Sequence, residues 1–381
     1  MERKKYLKKI EKVVIKIGSS SLTLKNGGLD IGKMNKFVTG VAGLIKSGYE
    51  VIIVTSGAIS AGLQYLGIAV RPKDISTLQA AAAVGQVELM RTYGDLFAKK
   101  RQKIGQILLT REDTTRRKQY LNIMNTIENL LKLKVIPVIN ENDSVAVEEI
   151  KFGDNDRLAA LVSSITQADL LIILSDIEGL YDKDPQSNPD AKLISYVDKI
   201  TPEIIKSAGG AGSAYSSGGM ASKLKAARIC SFLQIPMVIA DSKTADILKK
   251  IVSLEQDGTF FAPQTQKKVK SIKRWIAFGV QSKGNIYIDR GAEEAVESRG
   301  KSILAVGVTK VEGSFNKGDT VRVYSLDNRL IAKGISNFSD EILEKIRGKN
   351  DKQILKEHGR EYSCEVIHRD SLVVFNENDY E

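Results

Sequence analysis

Six short apolar runs, separated by stretches of helical spacing, constrain this chain more than any other feature. The runs are Lys12–Ile17, Glu50–Thr55, Ile104–Leu109, Val135–Asn140, Leu170–Ser175 and Met237–Ala240. Between them, Leu78–Lys99, Gln119–Leu133 and Asp156–Thr166 place apolar residues at helical intervals. Strands alternating with helices predict an α/β fold, a three-layer αβα sandwich around a largely parallel sheet. The alanine-rich Leu78–Val84 suits a helix packed closely against that sheet. Ligands of open α/β sheets bind beyond the carboxyl ends of the strands, so chemistry is sought in the residues that follow each run.

At 381 residues the chain is long for one domain, and its texture changes after Phe261. Ala262-Pro263-Gln264 and the basic Lys267–Lys273 read as a linker. Beyond it the β patterns Gly284–Asp289, Ser302–Val311 and Asp319–Tyr324, with a single helical segment near Glu341–Arg347, predict a small β-rich domain. The expected division is residues 1–262, a linker at 263–273, and residues 274–381.

The net charge of +11 raises nucleic acid as a partner, so its location matters. Residues 1–267 hold 37 Lys and Arg against 28 Asp and Glu, whereas residues 268–381 hold 20 against 18. The excess thus serves an anionic ligand or solubility in the first part, and the balance of the second weighs against RNA. No apolar run approaches the roughly 18 residues of a membrane span. Lys16 interrupts the apolar Val13–Ile17, which is too short for a signal-peptide core. Cys230 and Cys364 are too few for a disulfide scaffold and too far apart for a metal motif, and a cytoplasmic location is expected.

Four segments carry chemistry. Lys16-Ile17-Gly18-Ser19-Ser20-Ser21 ends the first run with a glycine turn, a lysine and three hydroxyls, groups that suit a phosphate. On its own it reads rather as an ordinary strand-to-helix turn. Neither a Walker A nor a GxGxxG motif occurs, which argues against P-loop and dinucleotide enzymes. Thr55-Ser56-Gly57-Ala58 repeats the glycine and hydroxyl theme after the second run. Asn140-Glu141-Asn142-Asp143 and Gly153-Asp154-Asn155-Asp156 supply carboxylates for an ammonium and amide N–H groups for a carboxylate, a set suited to an amino acid. The same residues are common caps and turns. Last, Ser217-Gly218-Gly219-Met220-Ala221-Ser222-Lys223 opens a helical stretch that ends near Phe232. A glycine-rich helix start favours an anion, and a lysine there gains nothing from the dipole, so a phosphate partner is the better reading. Ser175-Asp176 ends the fifth run beside it.

In this order the segments resemble the amino-acid kinase family, most closely its members that phosphorylate the side-chain carboxylate of glutamate. The residues from about Arg274-Trp275-Ile276 onward resemble a PUA domain. The resemblance implies ATP and Mg2+ as cofactors, with Lys16, Lys223 and Asp156 catalytic. It implies that Ser56, Asp143 and Asn155 bind glutamate. Lys16, Ser175, Asp176, Ser217, Gly218, Gly219, Met220, Ala221, Ser222 and Lys223 would bind ATP. Many members carry threonine where Ser175 stands; serine keeps the hydroxyl. The family also implies a homo-oligomer, proline biosynthesis with feedback by proline, and hand-off of a labile product to glutamate-5-semialdehyde dehydrogenase. A sibling kinase acting on aspartate, acetylglutamate or uridylate, or an RNA-binding role for the PUA-like domain, are the alternative readings.

Overall fold

The computed structural model describes residues 2–7, 9–24, 27–145, 155–185, 187–207, 219–263, 271–358 and 365–375. The chain divides into two compact units, residues 1–268 apart from 115–117, and residues 269–381 together with 115–117.

The first unit is built on an eight-stranded sheet of β1 (Lys12–Ile17), β2 (Glu50–Val54), β3 (Lys103–Leu109), β4 (Val135–Glu141), β5 (Leu170–Ser175), β6 (Tyr196–Val197), β7 (Met237–Asp241) and β8 (Thr259–Phe261). Their order across the sheet is β3-β4-β2-β1-β5-β7-β8-β6. Every neighbouring pair is parallel except β7 with β8. The central strands are buried along nearly their whole length, as expected where helices cover both faces. The six runs seen in the sequence are β1 to β5 and β7, each within a residue at either end. The two- and three-residue strands β6 and β8 are too short to leave a periodic signal.

The helix Ile75–Ala98 shares one core with β1, β2 and β4 through Leu89, Tyr93, Leu96 and Phe97. Its closest approach is to the helix Ala58–Tyr65, where a Cβ on Gly62 would lie 1.8 Å from the Ala81 carbonyl oxygen. A Cβ on Gly85 would lie 1.8 Å from the carbonyl oxygen of Ala58. Two facing glycines therefore set the crossing, which holds this long helix against the start of the segment after β2.

In the second unit a five-stranded sheet runs in the order β11-β9-β12-β13-β15, and β10 pairs with β14. These are β9 (Gly284–Ile288), β10 (Ile303–Leu304), β11 (Val308–Gly313), β12 (Thr320–Tyr324), β13 (Leu330–Ile335), β14 (Glu365–Ile367) and β15 (Leu372–Val374). The expectation of a single helical segment is corrected. Besides Asp340–Ile346 there are Ser271–Arg274, Arg290–Glu297 and Asp351–His358. Arg290–Glu297 buries only Val296 and is announced by its cap instead, with Asp289 accepting from the Ala292 N–H at 2.8 Å. The expected strand Ser302–Val311 is likewise broken by a 3-10 turn at Ala305–Gly307.

Candidate active site

Asp156 is the first residue of the helix Asp156–Thr166, where the helix dipole favours a carboxylate, and it is fully buried. Lys16, next to last in β1, places its Nζ 2.6 Å from Oδ1 of Asp156. Lys223, in the first turn of the helix Met220–Phe232, places its Nζ 3.1 Å from Oδ2. The Ser222 hydroxyl donates to the same Oδ2 at 3.0 Å. Both lysines are buried, at 5% and 4% exposure. Burial by itself would raise the pKa of Asp156. The charges and hydrogen bonds of Lys16 and Lys223 outweigh it and hold the carboxyl down at about 2. Two ammonium groups on one carboxylate leave one unit of positive charge, at the carboxyl ends of β1 and β5.

Gly18 follows β1 with φ −76°, a conformation open to any residue. A Cβ there would stand 3.7 Å from Lys16 Nζ, an ordinary van der Waals contact. Gly57 is different. It adopts φ +104° as the cap of the helix Ala58–Tyr65, which favours glycine and turns the chain directly after Ser56.

Next to Asp156, Asn155 joins the lysine cluster to a set of amides. Its Nδ2 donates to the Thr55 carbonyl at 2.5 Å, to Asn140 Oδ1 at 2.8 Å and to Ser56 Oγ at 3.2 Å. Asn140 Nδ2 donates in turn to Gln86 Oε1 at 2.8 Å, and the Thr55 hydroxyl lies 3.0 Å from the Tyr93 hydroxyl. Burial pushes the Tyr93 phenol far above its ordinary range, so it stays a neutral hydrogen-bonding group. Asp143 follows β4 and lines a cavity of about 290 Å³ with Gln86, Glu141, Asn142 and Ser144.

Thus Lys16, Lys223 and Asp156 converge, and Ser56 and Asn155 join them through the Asn155–Asp156 step. Ser175 closes β5 and donates to Asp176 Oδ1 at 3.2 Å; Asp176 is exposed on the rim of a second cavity of about 740 Å³, with Ser20, Lys33 and Lys243. Gly219, Met220, Ala221 and Ser222 form the cap and first turn of the helix that carries Lys223. Ser217 and Gly218 lie outside the described residues, as do Gly153 and Asp154. Sequence reading missed Gln86 and Tyr93. A signal existed for Gln86: it is the lone amide on a face otherwise made of Leu78, Ala81, Ala82, Gly85, Leu89 and Tyr93.

The amino acid kinase family model matches residues 11–241, and the PUA domain model matches residues 284–358. A glutamate 5-kinase of Syntrophotalea carbinolica is 45% identical over 98% of this chain and 99% of its own length. A glutamate 5-kinase of Caldanaerobacter subterraneus subsp. tengcongensis is 47% identical over 97% of this chain and 99% of its own. Among solved structures, the UMP kinase of Bacillus anthracis is 14% identical, with a TM-score of 0.47 over 68% of this chain and 99% of that one. The chain belongs to the amino acid kinase family.

Proposed function

We propose that this chain transfers the γ-phosphoryl group of ATP to the side-chain carboxylate of L-glutamate, giving L-glutamyl 5-phosphate, the first step of proline biosynthesis from glutamate. The observation that carries the reading is the buried Lys16–Asp156–Lys223 cluster beside the amides of Asn155 and Asn140. Relatives named glutamate 5-kinase, matched along nearly the whole chain, support the choice of substrate.

The attacking carboxylate has an ordinary pKa of about 4.3 and is already ionised at neutral pH, so the reaction requires no general base. The work left is positioning and charge stabilisation. Lys16 and Lys223 neutralise the oxygens of the transferring phosphoryl group from two sides. Asp156 is a positioning residue that holds both ammonium groups in place. Ser56, Asn155 and Asp143 bind the acceptor amino acid. Ser175, Asp176 and the turn from Ser217 to Lys223 bind the nucleotide. Magnesium fits as an ion carried by the ATP phosphates and water, since Asp156 is engaged by both lysines. Bound there, it would supply positive charge to the phosphates of ATP.

The domain division that accompanies this reading is a kinase domain at 1–262, a linker at 263–273 and a PUA-like domain at 274–381. An acyl phosphate is labile in water, which favours hand-off of the product to glutamate-5-semialdehyde dehydrogenase, and membership of the family supports a homo-oligomer. The test is trapping with hydroxylamine in the presence of ATP, magnesium and a panel of acidic amino acids and acetylglutamate, with UMP assayed separately for UDP. Hydroxamate formed from glutamate alone is the expected result. Product from another acid, or from none, rejects the assignment.

A further inference from the structure

The amide chain behind the site has a fixed direction. It begins at the Thr55 carbonyl, a backbone acceptor that cannot turn over. Asn155 must face it with its NH2, so Asn140 meets Asn155 with its oxygen, and Asn140 meets Gln86 with its NH2. Gln86 therefore accepts through Oε1, and its NH2 is turned away from the chain. That Nε2 atom is buried and has no hydrogen-bond partner among the described residues, while the residue is 9% exposed and lines the 290 Å³ cavity. A buried donor left unpaired is costly, and such groups in native structures call for a ligand or ordered water. The glycine crossing at Gly62 and Gly85 is what brings Gln86 to this position.

We propose that Gln86 is a substrate-binding residue whose Nε2 donates to the α-carboxylate of the acceptor amino acid. This rests on the glutamate reading above. An NH2 donor suits a carboxylate and not an ammonium, for which Glu141 and Asp143 on the same cavity are the fitting partners. The order β4-β2-β1 puts Asn140 two strands from Lys16, about 10 Å across the sheet. The carboxylate met by Gln86 is thus the one far from the lysines, which does not react.

The test is steady-state kinetics of the full chain and of Gln86→Glu and Gln86→Met, with ATP and either glutamate or its α-amide. Gln86→Glu keeps the acceptor toward Asn140 and replaces the donor by a negative charge. The expected result is a KM for glutamate raised tenfold or more, with the KM for ATP unchanged, kcat at saturation within a few-fold, and lost preference for glutamate over the α-amide. Gln86→Met should likewise lose the preference. A residue that merely supports Asn140 would weaken both acceptors equally, and that outcome overturns the proposal. Should neither variant fold, wild-type discrimination decides: at least tenfold in favour of glutamate supports the proposal, and equal use of both acceptors overturns it. Wild-type protein inactive on glutamate altogether would instead reject the function proposed above.

Discussion

Replacing Asp156 by asparagine keeps the size of the side chain and removes the charge that two buried lysines share. The distances of 2.6 and 3.1 Å make both contacts direct ion pairs, and no solvent reaches the carboxylate. Breaking a buried pair by removing one partner typically costs about 3–5 kcal/mol, because the other charge stays buried without compensation. In a unit of this size each kcal/mol lowers Tm by roughly 2–4 °C, so a fall on the order of 10 °C is expected by calorimetry. Turnover should fall as well, by about 100-fold or more, since both ammonium groups lose their fixed position. The pH dependence gives a separate check. A carboxyl whose pKa falls from 3.8 unfolded to about 2 folded stabilises the native state fully above pH 4, by roughly 2 kcal/mol. That contribution fades as pH drops through about 2, so the gap between wild type and Asp156→Asn should narrow from pH 4 downward. An asparagine variant with wild-type Tm and kcat would refute the reasoning, and so would a gap that widens in acid.

Lys16→Met and Lys223→Met should each lower kcat by about 100-fold or more while circular dichroism shows an intact fold, because each removes charge that acts on the transferring group. Asp143→Ala should chiefly raise the KM for glutamate; a selective loss of ATP affinity would place that residue wrongly. The two glycines should part company. Gly18→Ala fits its backbone and adds a Cβ at ordinary van der Waals distances, so it should leave Tm within about 2 °C. Gly57→Ala at φ +104° should cost at least 1 kcal/mol in denaturant unfolding.

The sheet was legible because its inner strands are buried on both faces and read as continuous apolar runs. Leu170–Ser175 is fully buried and was found at its full length. The two- and three-residue strands β6 and β8 are too short for any period to register. In the second unit the helices Arg290–Glu297 and Asp351–His358 are short and rich in charge, so their apolar spacing is faint. The lysines and Asp156 stood out because charged residues beside glycine turns are conspicuous. Gln86, by contrast, depends on a crossing of two helices set by Gly62 and Gly85, which no local pattern encodes. Likewise, the link from Ser56 through Asn155 to Asn140 spans some hundred residues of chain, and only the sheet order brings it together.

The central claim is direct transfer of a phosphoryl group onto a carboxylate held beside the Lys16–Asp156–Lys223 cluster. It is tested most directly with glutamate carrying heavy oxygen in its side-chain carboxylate, turned over with ATP and magnesium and trapped by hydroxylamine. Attack by the carboxylate forms the new P–O bond with a glutamate oxygen, and hydroxylamine then displaces phosphate at carbon. The account predicts one labelled oxygen in each phosphate released, read by the isotope shift in phosphorus NMR. Phosphate without label would mean that water, not the substrate carboxylate, attacks ATP, and would contradict it.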